Sequence, residues 1–303
     1  LILTSQSFLN NEIWLPADRN VPACRSDQFT AGWSYTPDNN KYSASLEVYY
    51  KKLNNLAAYK EGYNNILGDG NWRDKIVTGG TGTMYGAEFL LKKNYGDFSG
   101  YITYTWSKAF RTFENINDGK EYTFEYDRPH SGSISLNYRI SDKLTLSAVW
   151  IYQTGLPYTP VIGRQYTPEL YDQGNTGRFY YEALVYGERN SARMKDYHRM
   201  DVSLAYNRLT KKRKLQSTWT FSVYNLYNRQ NPYYYYYNNT PNAEIYFPEP
   251  GTDYWKIQLY QVSFFPILPS LSYKVYFDSS SFRRTDTKPP FKERFVKWLY
   301  YEN

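Results

Sequence analysis

Between residues 131 and 153 two runs set apolar and polar side chains at alternate positions. In KLTLSAVWIYQ, Leu144, Leu146, Ala148, Trp150 and Tyr152 share one face, while Thr145, Ser147 and Gln153 occupy the other. That is the period of two that a pleated strand imposes. SGSISLNYRI repeats it, setting Ile134, Leu136, Tyr138 and Ile140 against Ser133, Ser135, Asn137 and Arg139. Comparable runs fall at about 28–36, 41–52, 82–95, 98–109, 198–208 and 214–228, and in the stretch ending at Phe277. Helical spacing is scarcely visible before residue 278. The pattern predicts an all-β chain of about nine strands, preceded by the tail of a tenth at residues 1 to 8.

The connections alternate between very short and very long. Pro37 to Asn40, Gly96-Asp97, Ser141-Asp142 and Leu209 to Arg213 suit tight hairpins, with Gly, Asn and Asp supplying the unusual backbone angles. Long connections run about 53–81, 110–130, 156–197 and from 229 into the 250s. A soluble sandwich has no reason to sort its loops this way, whereas an outer-membrane barrel places brief turns on the periplasmic side and long loops outside. Counted by parity, the last strand descends to Phe277 on the short-turn side. YWKIQLYQV, residues 254–262, is expected to be the outer extension of that strand, bent at PILP because Pro266 and Pro269 cannot donate ladder hydrogen bonds.

Composition narrows the class. Tyrosine dominates: 36 of 303 residues, within an aromatic share of 20%. The mean hydropathy of -0.73 and the lack of a run of about 18 apolar residues exclude a transmembrane helix. They leave a barrel open, since a barrel strand shows only alternate residues to lipid. The single Cys24 forms no internal disulfide and no cysteine metal site. The net charge of +7 is spread along the chain, with KKRK at 211–214 the one compact basic tract, so nucleic acid is not an expected partner. The opening LILTSQSFLN has none of the features of a signal peptide, and the chain reads as the inside of a longer polypeptide.

The tyrosine run Tyr233, Tyr234, Tyr235, Tyr236 and Tyr237 suits an interface, because each ring buries well while its hydroxyl wants water or a partner. At the point where an ascending strand leaves a membrane it would form an aromatic girdle, one alternate set facing lipid head groups and the other the barrel mouth.

Several stretches together resemble the C-terminal barrel half of TonB-dependent outer-membrane receptors of the Bacteroidetes type. They are GGTGTMYGAEFLLKKNYGDFSGYITYTWSKAFRTF, YDRPHSGSISLNYRISDKLTLSAVWIYQTGLPYTP, NSARMKDYHRMDVSLAY, WTFSVYNLYNRQNPYYYYY and FFPILPSLSYKVYF. The resemblance runs from roughly residue 10 to Phe277. It implies a transmembrane antiparallel β-barrel of twenty-two strands, of which this chain holds about ten. It further implies an N-terminal plug that engages the energy-transducing TonB protein, contact with outer-membrane lipid and the barrel assembly machinery, and in some members a surface lipoprotein partner. Such receptors import scarce ligands such as iron chelates, cobalamin or glycans; no cofactor is implied. On this reading 1–277 is barrel and 278–303 a C-terminal extension, periplasmic or non-native. Leu271, Tyr273, Val275 and Phe277 match the terminal strand read by the assembly machinery, although here the chain continues past it.

Candidate chemistry is sparse. Tyr158, Tyr166, Tyr171, Tyr180, Tyr181 and Tyr186 crowd the long segment 158–197, where aromatic faces suit stacking on a ligand. DRPH (Asp127 to His130) and DYHR (Asp196 to Arg199) each precede a descending strand. His with Asp is a usable metal set, but paired Asp, Arg and His at strand starts more often lock loops to a wall through charge-assisted bonds, and no metal site is assigned. The acids Glu114, Asp118, Glu121, Glu125 and Asp127 read as a solvated face rather than a calcium site. TGGTGTMYG fails as a phosphate loop, since Tyr85 stands where the third glycine belongs and a strand follows. No nucleophile, base and orienting group share a recognisable spacing, so the chain is not read as an enzyme. Two other readings stand beside the receptor: a self-sufficient small barrel acting as an adhesin or membrane protease, and a secreted carbohydrate-binding β-sandwich. The first would show a signal peptide directly upstream; the second would stay soluble without detergent.

Overall fold

A computed structural model describes residues 2–3, 13–14, 17–61, 72–168, 180–209, 215–241 and 255–276. Thirteen strands carry labels here: β1 (Arg25–Tyr35), β2 (Tyr42–Tyr59), β3 (Ile76–Lys93), β4 (Phe98–Thr112), β5 (His130–Arg139), β6 (Leu144–Gln153), β7 (Val161–Pro168), β8 (Tyr180–Tyr186), β9 (Tyr197–Leu209), β10 (Gln216–Tyr224), β11 (Pro232–Pro241), β12 (Trp255–Ser263) and β13 (Leu268–Val275). Nine of them form one antiparallel sheet in the order β13-β10-β9-β6-β5-β4-β3-β2-β1. Each main strand pairs with the next main strand in sequence, the meander that short hairpins produce. The all-β antiparallel architecture expected from the alternation is therefore present.

Two adjacent rows across this sheet show what the alternation does. Phe98, Tyr138, Leu146, Leu204, Phe221 and Leu271 are register partners in turn across six strands. One residue away, Ser99, Asn137, Ser147, Ser203, Ser222 and Ser270 make the matching row on the opposite face. Hydroxyls and amides on that face bond across strands, as in Ser147 to Asn137 Oδ1 at 2.7 Å, Thr103 with Ser133 at 2.8 Å, and Thr218 to Asn207 Oδ1 at 2.6 Å. The apolar face is open. Trp150 and Leu146 are each 36% exposed and Leu271 66%, and among the described residues no second sheet lies over them. A soluble sandwich would cover this face with an opposing layer.

The short turns gather at one rim and the long connections at the other. At the short-turn rim Asn40 (φ 51°) and Gly96 (φ 113°) take left-handed backbone, and Arg139 pairs with Asp97 at 2.8 Å. The dry core sits at the long-loop rim, where Leu56, Ala58, Val77, Phe113, Ile116 and Tyr122 bury one another. Gly80 belongs to it, because a Cβ there would strike the Phe113 ring.

Three expectations about element boundaries change. The segment 53–81, expected as loop, is strand at both its ends: β2 continues to Tyr59 and β3 begins at Ile76, with register shifts around Leu56. Residues there pack on the loop core instead of alternating between two solvents, so the period of two disappears. The glycine-rich TGGTGTMYG consequently lies inside β3. The strand expected to run to residue 228 stops at Tyr224, because Asn225 turns the chain with φ 53°. Asn225 is 1% exposed and bonds four places: its N–H to Asp201 Oδ1, its Nδ2 to the Arg229 and Phe265 carbonyls, and its Oδ1 to the Arg229 N–H. The connection beyond it is a hairpin, β11 with β12, and not an irregular loop. Its two strands pair only with each other, in a sheet separate from the main one. The tenth strand expected at residues 1–8 lies mostly outside the described residues, of which Ile2–Leu3 pair with Ile13–Trp14.

A charged probe separates hydrocarbon from water on the open face. Leu204→Arg is expected to lower folding stability by about 2–4 kcal/mol in lipid vesicles if that face meets hydrocarbon, while Ser203→Arg on the other face changes it by less than about 1 kcal/mol. Urea unfolding of the vesicle-inserted protein, read by tryptophan fluorescence, measures both.

Candidate functional site

The chain's polar investment concentrates where the long connections return to the sheet. Asp127, just before β5, has a side chain only 1% exposed and pairs with Arg193. It also accepts the Ala109 N–H at 2.7 Å. Arg193 in turn donates to the carbonyls of Asp127 (3.0 Å) and Gly155 (3.2 Å). This ties the approach to β5 to the segment before β9, 66 residues later. Around it Asn190 bonds the Thr123 carbonyl and the Thr159 hydroxyl, and the Arg189 N–H donates to Asn117 Oδ1. The Arg189 guanidinium lies 5.3 Å from the Tyr122 ring centre. The connections 113–129 and 186–196 thus form one interlocked body.

Asp196 performs the same service at β9. It accepts from the Tyr152 hydroxyl at 2.7 Å and the Gly155 N–H at 3.0 Å. The Tyr152 bond, more than any other contact, holds its carboxyl below the usual range. Gly155 is needed here, because a Cβ would collide with the Met194 carbonyl. The two histidines are spent locally: His130 Nδ1 bonds Tyr104 and His198 Nδ1 bonds Tyr227, both at 2.8 Å. DRPH and DYHR therefore act on loops through these partners, and among the described residues no group of three metal-binding side chains gathers.

The tyrosine run lies in the β11–β12 hairpin, above the continuous sheet. Tyr235 and Tyr237 reach the segment between β6 and β9: the Tyr235 hydroxyl accepts the Lys195 N–H (3.2 Å), Tyr237 accepts the Val161 N–H (3.0 Å), and the Tyr235 ring meets Tyr158 edge-on at 5.4 Å. Its even members stack in a ladder, Tyr234 on Tyr236 at 6.1 Å and Tyr236 on Tyr260 at 5.4 Å.

Between these connections, on the polar face of the sheet, opens a cavity of about 380 Å³ lined among others by Arg128, Gln153, Tyr158, Tyr197, Tyr234 and Tyr235. Burial lowers the pKa of Arg128, which donates to Gln153 Oε1. Of the tyrosines expected to meet ligand, Tyr158 lines this cavity. Tyr186 ends β8 and is 57% exposed. Tyr166, Tyr180 and Tyr181 belong to the β7–β8 hairpin, and Tyr171 lies outside the described residues, as does Phe277. Leu271 and Tyr273 stand on the open apolar face, where Tyr273 packs 4.5 Å from Trp219. Sequence reasoning missed Arg128, Gln153 and Tyr197 as neighbours of Tyr158; nothing local marks them, since they come from three separate segments.

A family model described as TonB dependent receptor-like, beta-barrel, matches residues 12–226. No curated protein matches the chain. Among solved structures, the ferric-catecholate import receptor Fiu from E. coli K12 is 13% identical with a TM-score of 0.49 over 84% of this chain and 28% of its own. The ferripyoverdine receptor of the outer membrane of Pseudomonas aeruginosa is 14% identical, with a TM-score of 0.43 over 71% of this chain and 24% of its own. The FrpB iron transporter from Neisseria meningitidis is 14% identical, with a TM-score of 0.45 over 71% and 29%. The chain spans less than a third of the length of each.

Two expected outcomes test the interlock. Arg193→Met strands the buried Asp127 charge and should cost about 3–5 kcal/mol, read as faster proteolysis of the segment 156–196 and a lower unfolding midpoint; Asp127→Asn together with Arg193→Met should recover part of it. Because the folded pKa of Asp196 is depressed, its contribution is present above the ordinary carboxylate pKa of about 4 and is lost as pH falls through the lower folded value. Hydrogen exchange at Gly155 N–H should accelerate in that acid window, and Asp196→Asn should remove the dependence.

Proposed function

The chain belongs to the TonB-dependent receptor β-barrel family, whose barrels sit in the bacterial outer membrane, and we propose that it forms the C-terminal wall of a Bacteroidetes-type receptor for active uptake of a scarce ligand. The family match over residues 12–226 carries this reading. The two-faced sheet supports it, since one row of partners runs apolar and the next runs Ser and Asn. Both edge strands, β1 and β13, have one side unpaired among the described residues. In hydrocarbon each unsatisfied backbone group costs several kcal/mol, so further strands of the same receptor would close the wall. The long-loop rim is then extracellular and the short-turn rim periplasmic. Ligand would bind among the loops and a plug, and TonB would supply the work of release through that plug. Residues 1–277 would be barrel, with Leu271 to Phe277 the assembly signal and 278–303 a tail beyond it. The class of ligand, whether iron chelate, cobalamin or glycan, follows from loop and plug surfaces together.

Cell fractionation and growth test the proposal. The full-length receptor should partition with the outer membrane and run with heat-modifiable mobility. Growth on one limiting member of a panel of ferric chelates, cobalamin and glycans should be lost on deleting either the receptor or TonB. Recovery in the soluble fraction, or growth on every member indifferent to both deletions, would defeat it.

A further inference from the structure

Two of the short turns are laced together and carry a pair of lysines. The turn between β1 and β2 meets the turn between β3 and β4: the Asn94 N–H donates to the Lys41 carbonyl at 2.9 Å, Asn94 Nδ2 to the Asn40 carbonyl at 2.8 Å, and the Tyr95 hydroxyl to the Asn39 carbonyl. Lys93 closes β3 as the register partner of Tyr42 on β2 and Gly100 on β4. Lys41 and Lys93 are therefore neighbours on a fixed piece of backbone. The acids of these turns leave them a net positive charge. Asp97 is taken by Arg139, on which Asp142 also acts. Asp38, in the same turn as Lys41, makes no ion pair among the described residues, so two ammonium groups stand against one carboxylate.

Both ammonium groups sit at the end of the apolar face. Lys93 has the parity of Phe89 and Leu91, whose partners Tyr104 and Ile102 continue that face toward Trp150. Its Nζ lies 5.1 Å from the centre of the Phe98 ring, and Lys41 Nζ lies 5.9 Å from that of Tyr42. Both rings are exposed. Beside them Gly100, and Ala44 one row further in, add little bulk. A lysine laid over an aromatic ring with its charge at the polar end has the posture of a cation at a membrane boundary. Ammonium groups at the boundary thus adjoin bare apolar surface just inside it, and the molecule that fits has an anionic head and a hydrocarbon tail. A free anion would use the lysines alone, and a zwitterionic head would bring its own ammonium against them.

Resting on the uptake-receptor reading, which sets this rim at the inner leaflet of the outer membrane, we propose that Lys41 and Lys93 hold the head group of an anionic glycerophospholipid, its acyl chains lying along Ala44, Gly100 and the rings of Tyr42 and Phe98. The site selects by head-group charge, which the apolar band common to barrel walls does not do.

The test uses the full-length receptor in nanodiscs of phosphatidylcholine, with or without phosphatidylglycerol, treated with a small amine-acetylating reagent and read residue by residue by mass spectrometry. Phosphatidylglycerol should slow acetylation of Lys41 and Lys93 at least about three-fold, while Lys92, their neighbour on the polar face, keeps its rate. In native mass spectrometry with the two lipids in competition the receptor should prefer phosphatidylglycerol. Lys41→Gln with Lys93→Gln should lose at least about half of that preference, and Lys41→Arg with Lys93→Arg should keep it. Equal rates in the two nanodiscs, the same slowing at Lys92, equal protection by soluble glycerophosphate in phosphatidylcholine, or an undiminished preference in a normally folded Gln variant would overturn the assignment. The labelling is done on the wild type and decides even if a variant does not fold. A receptor that keeps its outer-membrane location and TonB-dependent growth while labelling equally in both lipids fails this inference alone.

Discussion

Backbone pairing inside hydrocarbon is the constraint on which the rest of this molecule depends. No water reaches the middle of a bilayer, so every N–H and C=O must find a partner within the protein, and an extended chain does so only by lying beside other strands. Nine strands in strict sequential antiparallel order meet that demand at every interior edge. The side chains are then forced into two environments one residue apart. The adjacent rows through Leu204 and Ser203 are the visible result, one open and apolar, the other cross-bonded through hydroxyls and amides.

At the long-loop rim the same constraint relaxes and different forces take over. Water is present, so strands no longer need alternation, and small hydrophobic clusters and buried ion pairs decide the shape. Phe113 covering Gly80, Arg193 gripping Asp127 and Asn225 bonding four groups at the end of β10 are local solutions, each joining segments distant in sequence. Burying Asp127 is expensive unless it stays paired, which makes the Arg193 contact a positional device: the carboxylate is stable in only one arrangement of the two connections. The cavity exists because these connections are held apart by such contacts. Its lining sets Arg128, Glu125 and Gln153 among tyrosine rings.

The tyrosine run illustrates how one residue type makes two kinds of contact. Tyr235 and Tyr237 spend their hydroxyls on backbone N–H groups of a neighbouring connection, while Tyr234 and Tyr236 stack in a ladder with Tyr260. A phenylalanine run could make the stacks but not the bonds; a serine run could do neither.

By itself the sequence determined the strands that touch the two solvents, their order and the rim to which each loop belongs. Alternation such as Leu144 to Tyr152 is imposed residue by residue and survives in one dimension. Even the strand break near PILP was legible, because proline removes a ladder donor wherever it stands. Only the tertiary structure decided how far β2 and β3 rise, that residues 232–241 pair with 255–263, and that Arg128, Gln153, Tyr158 and Tyr197 surround one space. Those outcomes rest on contacts between segments tens of residues apart, and a contact energy of that kind leaves no period in the chain for a reader to find.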